Sequence, residues 1–219
     1  MWEFIMHKLL LTAGVAAAAA IAMPASALVT VSYSTNATDI SNYAASGPFT
    51  FDFNSGSEPA WNGQIKGPSP ENGVSIPPQG SVGTWASAPG GNAIYTLTLG
   101  SDPVSSISFL WGSVDEYNTL TFVGTSDPGN SGNPYSFTGN GVFPGENNSQ
   151  GILVTFTFTG TDQNVSALQF QSGSNAFEFD SVRVAAVPEP ATWAMMIGGL
   201  ALVGLTMRRR KANTAVQFA

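Results

Sequence analysis

Ile152-Leu153-Val154-Thr155-Phe156-Thr157-Phe158-Thr159 is the stretch that decides the fold. From Val154 onward, large apolar residues and threonines alternate without a break. Side chains in an extended chain point to opposite faces in turn, so Val154, Phe156 and Phe158 share one face. Thr155, Thr157 and Thr159 line the other, which is the pattern of a strand with one side buried. Tyr95-Thr96-Leu97-Thr98-Leu99 repeats it. Segments 29–34, 49–53, 93–99, 104–111, 119–123, 151–159, 165–171 and 176–184 share this vocabulary of Thr, Val, Phe and Ser. Asp102-Pro103, Asp127-Pro128-Gly129-Asn130 and Pro144-Gly145 supply turn chemistry between them. No segment of this region supports an amphipathic helix longer than about two turns. The pattern predicts an all-β domain, a two-sheet antiparallel β-sandwich that is jelly-roll-like.

Residues 58–91 read differently. They are rich in Pro, Gly, Ser and Asn, with Trp61, Ile65, Val74, Ile76 and Trp85 as apolar anchors. A structureless loop of that length would be unusual in a compact domain. The expectation is a partly ordered insertion with one short strand near 82–86. Residues 127–148 form a second loop-rich region, with a short hairpin expected around 135–143. No internal repeat is present, which excludes solenoid and repeat-type calcium folds.

Composition excludes much chemistry. Cysteine is absent, and the only histidine, His7, lies near the start of the chain. Ser-His-Asp and Cys-His catalysis within one chain are therefore excluded, as are zinc, copper or iron sites built on imidazole or thiolate. Between residues 28 and 187 the only cations are Lys66 and Arg183, against a large excess of Asp and Glu. Such a surface repels phosphate backbones, so no nucleic-acid partner is expected.

Both ends are apolar. Lys8 precedes an apolar stretch over 9–23, and Ala25-Ser26-Ala27 places small residues where a signal peptidase reads them. Residues 1–27 are expected to be a signal peptide cut after Ala27. Residues 28–187 then form one outer domain. Residues 191–207 carry no charge and are followed at once by Arg208-Arg209-Arg210-Lys211. As a helix this run is roughly 26 Å long, which predicts a transmembrane helix over 191–207. The cationic cluster predicts a cytoplasmic end, with 212–219 as a short stub.

Val187-Pro188-Glu189-Pro190, then Trp193-Ala194-Met195-Met196, a glycine-containing apolar helix and Arg208-Arg209-Arg210 resemble the PEP-CTERM sorting signal. That signal occurs in Gram-negative bacteria that use an exosortase. The resemblance covers 188–211 and implies processing near Pro188-Glu189-Pro190. It implies an inner-membrane-anchored precursor with its domain in the periplasm and a mature form at the cell surface or outside the cell. Exosortase and signal peptidase are the processing partners so implied.

The densest polar and aromatic cluster is 109–119. Trp111 and Tyr117 offer flat faces to sugar rings, and Asp115 and Asn118 offer hydrogen bonds to hydroxyls. The competing reading makes Trp111 a core residue and 113–118 a hydrogen-bonded turn. Asp115 and Glu116 are adjacent, so on a strand they face opposite ways and cannot flank one glycosidic bond. A catalytic partner for either would have to come from Asp52 or Asp180. The segment 177–184 is similar to the last strand of jelly-roll carbohydrate-binding modules, where first and last strands often share a structural Ca²⁺. That similarity implies a candidate calcium site at Asp52 and Asp180, against the plain alternative that Glu178 and Asp180 face solvent. The threonine ladder at 155–159 sits on one strand with no repeat to multiply it, so an ice-binding array is not expected. No other cofactor is expected.

The functional expectation is a non-catalytic exported protein that contributes to exopolysaccharide or biofilm organisation, with weak glycan binding. A secreted carbohydrate-active enzyme and a Ca²⁺-dependent adhesion module are the alternatives.

Overall fold

The computed structural model describes residues 28–144 and 151–187, and the helix Pro190–Lys211 with its side chains from 193 to 207. The expected signal peptide, with Ala25 and Ala27, lies outside the described residues, as do Pro188, Glu189 and the stub at 212–219.

The described chain is mostly β, in two antiparallel sheets. The first has six strands in the order β1-β8-β5-β10-β3-β2. Here β1 is Leu28–Ser34, β2 Gln64–Lys66, β3 Trp85–Ala88, β5 Val104–Trp111, β8 Ile152–Thr159 and β10 Phe177–Ala186. The second has four, β4-β9-β6-β7, with β4 Ile94–Thr98, β6 Asn118–Val123, β7 Ser136–Thr138 and β9 Ala167–Ser172. From β3 to β10 the chain passes repeatedly between the sheets, while β1 and β2 extend the first sheet at its two edges.

The alternation in β8 does what the sequence requires: Val154, Phe156 and Phe158 are buried and Thr157 is exposed. The sheets meet through aromatic rings. Phe170 of β9 stacks on Phe179 of β10 at 3.9 Å between centroids, with the planes 1° apart. Trp61, Phe109 and Phe177 close around this pair.

Three local expectations are corrected. Residues 49–53 are not a strand but a single bridge, Phe51 to Val182. Phe53 and Ser181 both take positive φ, and the β10 register shifts between Asp180 and Arg183, so no continuous ladder can form. A helix, α1 Ala37–Ala45, was not expected. Asn36 caps it by accepting from the Thr38 N–H at 2.8 Å. It buries only Ile40 and Tyr43, too few positions to show a helical period. Residues 135–143 are not a hairpin: β7 pairs with β6, and the chain then enters a short helix, α2 Gly139–Val142. Gly139 permits this, because a Cβ there would lie 2.1 Å from the Asp115 carbonyl oxygen.

The insertion is ordered and lies over the outer face of β3 and β10. Trp85 Nε1 donates to Ser75 Oγ at 3.1 Å, and the Ile76 N–H donates to Glu178 Oε1 at 3.2 Å. The strand expected at 82–86 is present as β3, two to three residues further on.

Of the transmembrane helix expected at 191–207, the structure shows the helix. The segment is helical, as part of α3 Pro190–Lys211, and Met195, Ile197, Leu200, Leu202 and Met207 are exposed. Among the described residues no helix is long and apolar enough to cross a membrane.

Candidate functional site

A cleft of about 230 Å³ opens where the β5–β6 turn, the β9–β10 turn and the insertion meet. Its walls include Val74, Ser75, Ser113, Asp115, Tyr117 and Glu178. The turn is built by its own backbone. Gly112 N–H donates to the Glu178 carbonyl at 2.8 Å, and Asn118 N–H donates to the Asp115 carbonyl at 3.0 Å. Gly112 is required, since a Cβ there would stand 2.8 Å from the Glu178 Cβ. Asn118 pins the turn from below: its Nδ2 donates to the Ser113 carbonyl at 2.8 Å, and its Oδ1 accepts from Ser172 Oγ at 2.7 Å. Tyr117 Oη donates to the Asn175 carbonyl at 3.1 Å, tying the two turns together.

Glu178 alternates with Phe177 and Phe179, so it faces away from the inter-sheet core. The insertion covers it, and it is only 2% exposed. Its Oε1 accepts from Ile76, but Oε2 is buried with no hydrogen-bond partner. Burial pushes the Glu178 carboxyl up to about 8, and the nearby Asp115 charge adds to the rise against the lowering effect of the Ile76 amide. Burial likewise raises Asp115, against the lowering effect of the Tyr117 hydroxyl. Burial and then Asp115 push the Tyr117 hydroxyl up to about 12.

The structure divides the four residues proposed for glycan contact. Asp115 and Tyr117 line the cleft. Trp111 does not: it is fully buried and stacks on Phe177 at 4.3 Å, so no sugar ring reaches its face. Asn118 is fully buried and held in the turn. The alternative that Glu178 and Asp180 face solvent is corrected: both are buried, because the insertion lies over them. Hydrophobic alternation places Glu178 on the outer face, but nothing in the sequence shows what covers that face.

Asp52 and Asp180 sit in different surroundings. Asp52 is exposed and accepts from the Asn54 N–H at 3.1 Å. Asp180 is buried, accepting from Ser181 N–H at 2.6 Å and Ser81 Oγ at 2.5 Å. Burial pushes Asp180 up to about 6, with Asp52 adding to the rise. Among the described residues no group of three or more acidic side chains could hold a metal ion.

The threonine face is wider than one strand. Thr155 and Thr157 pair in register with Ser32 and Thr30 on β1 and with Ser108 and Ser106 on β5. Ser108 Oγ and Thr155 Oγ1 are 2.8 Å apart.

Residues 186–211 match the PEP-CTERM protein-sorting motif. The chain carries a PEP-CTERM sorting tail. No curated protein matches the chain. The tail implies an exported, membrane-anchored precursor that an exosortase processes. Combining Pro188→Ala, Glu189→Ala and Pro190→Ala is expected to hold the unprocessed chain in the membrane fraction of an exosortase-bearing host. Undiminished release of processed protein, read by mass spectrometry, would show that the tail is not the processing address.

Proposed function

We propose that the outer domain is a non-catalytic, jelly-roll-like binding domain that its tail delivers to the cell surface or extracellular matrix. There it binds glycan weakly and helps to organise exopolysaccharide or biofilm. The strand order supports the jelly-roll reading: β3-β10-β5-β8 faces β4-β9-β6-β7, the double wrap of that architecture.

The observation that carries the binding reading is the cleft at Asp115 and Tyr117. Its volume lies below the roughly 300–1,000 Å³ of sites for drug-sized ligands, which fits one sugar ring better than a chain. An aromatic wall and hydroxyl and carboxyl groups supply both kinds of contact a sugar needs. Catalysis is disfavoured because Glu178 Oε2 has no exposed surface from which to touch a glycosidic oxygen.

A glycan array probed with the purified protein tests this. Binding that Tyr117→Ala removes, with no new reducing ends released, is the expected result. Cleavage that Asp115→Asn abolishes would make the protein an enzyme, and binding to no glycan would leave the cleft without the proposed role.

A further inference from the structure

We infer that residues 67–84, which run between β2 and β3, form a pH-gated strap. Protonated Glu178 latches the strap down, and loss of that proton lifts it while both sheets stay folded. The inference goes beyond the glycan reading, because the gate is defined by the strap and not by a ligand.

Side chains, not a backbone ladder, attach the strap. Among the described residues, none of 67–84 exchanges a backbone–backbone hydrogen bond with a strand; the bonds at Glu71, Val74 and Ser81 close turns within the strap itself. Nor does any of its residues belong to the inter-sheet core. Two carboxyls hold it on β10: Glu178 accepts from the Ile76 N–H at 3.2 Å, and Asp180 accepts from Ser81 Oγ at 2.5 Å. Asn175 Nδ2 donates to the Gly73 carbonyl at 3.1 Å at the near end, and Asn54 Oδ1 accepts from the Thr84 N–H at 3.3 Å at the far end.

Of the two carboxyls, Glu178 is the gate. Asp180 has a donor on each oxygen, Ser181 N–H on one and Ser81 Oγ on the other, so it carries charge at less cost. Glu178 has the Ile76 N–H on Oε1, while Oε2 lies against Gly112, buried and without a partner. No cation faces it. The β5–β6 turn brings Asp115 and Tyr117, β10 brings Asp180 with Asp52 beside it, and β3 brings Ser87 opposite. Lys66 of β2 is paired with Glu71 of the strap at 3.0 Å, and Arg183 of β10 sits over Tyr43 and donates to Ser46. A buried carboxylate with neither counter-charge nor a full set of donors must reach water. Lifting the strap admits water without breaking a strand pair. The rise of the Glu178 carboxyl to about 8, caused first by burial, agrees with a latch that holds its proton in mild acid.

The strap also covers a reporter. Ala86 of β3 belongs to the core, so its neighbour Trp85 faces the opposite way, toward the strap. Trp85 is nevertheless fully buried, and its Nε1 donates to Ser75 Oγ at 3.1 Å. Lifting the strap uncovers this indole and takes residues 73–76 out of the cleft wall.

Hydrogen exchange of the full chain in detergent, corrected for the intrinsic effect of pH, tests the gate at about pH 5 and about pH 8.5. In mild acid, peptides from 67–84 and from β8 are both expected to be protected. At the higher pH, peptides from 67–84 are expected to exchange within about tenfold of the free-chain rate, while β8 stays at least about a thousandfold protected. The sign follows from linkage: a carboxyl raised in the closed state favours closure below its ordinary value and loses that contribution as pH rises through its closed value. Glu178→Gln, with no proton to lose, is expected to keep the strap protected at both pH values. Tryptophan emission of the wild type is expected to shift to the red between them, and Trp85→Phe to remove that shift. Equal protection of strap and β8 at both pH values would overturn the inference, since the strap would then open only when the whole domain unfolds. Strap protection that ignores pH, or that falls equally in Glu178→Gln, would overturn it too.

Discussion

Replacing Phe170 by alanine is expected to cost about 3–5 kcal/mol. The ring is fully buried between the two sheets. It stacks on Phe179 at 3.9 Å and meets Phe177 edge-on at 4.9 Å and Trp61 edge-on at 5.5 Å. Truncation therefore removes several of the ring contacts that hold the four-stranded sheet against the six-stranded one. Neighbouring rings cannot readily collapse into the space, because Phe109 is fixed by pairing with β8, Phe177 by pairing with β3 and Phe179 by pairing with β3 and β5. Domains typically hold only about 5–15 kcal/mol in total, and this one has no disulfide to fall back on. Thr157→Ala, on the solvent face of β8, is the control and is expected to cost under about 1 kcal/mol. Urea midpoints measure both. Equal losses at the two positions would show that the inter-sheet rings are not the main source of stability.

The sequence announces this core because its period is simple. Val154, Phe156 and Phe158 alternate with threonines, and nothing but a half-buried strand fits that pattern. The same logic places Phe177 and Phe179 inward. It fails where burial comes from irregular chain. Segment 49–53 has the alternation of a strand, yet it contributes one bridge because the backbone turns at Phe53 and Ser181. Helix α1 hides because two buried residues carry no visible period.

The cleft was half legible for a related reason. Asp115 and Tyr117 stand out as polar and aromatic residues in a turn, and the structure places both in the wall. Glu178 could be assigned to the outer sheet face from its neighbours, but whether that face is wet depends on residues 73–76, about a hundred positions earlier. Trp111 shows the converse. It looks like a sugar platform in a string of letters, but its place at the end of β5 turns it inward onto Phe177.

Burial of Glu178 predicts a protein that is most stable in mild acid. Its folded carboxyl titrates at about 8 against an ordinary value of 4.5, and that of Asp180 at about 6 against 3.8. Both are raised, so between these values the folded state holds protons that the unfolded state has released. Stability is therefore fullest below about pH 4 as far as these two groups decide it. It falls through pH 4–6 for Asp180 and through pH 4.5–8 for Glu178, then levels off. At about 1.4 kcal/mol per unit, the Glu178 contribution alone is on the order of 4–5 kcal/mol. Glu178→Gln keeps an acceptor for the Ile76 N–H and has no proton to lose. The variant is expected to match the wild type near pH 4.5 and to exceed it increasingly up to pH 8.5, leaving the shallower Asp180 slope. Urea midpoints at several pH values separate the two curves. Parallel curves would mean that Glu178 ionises in the folded protein without penalty, as a solvated or already paired carboxylate would.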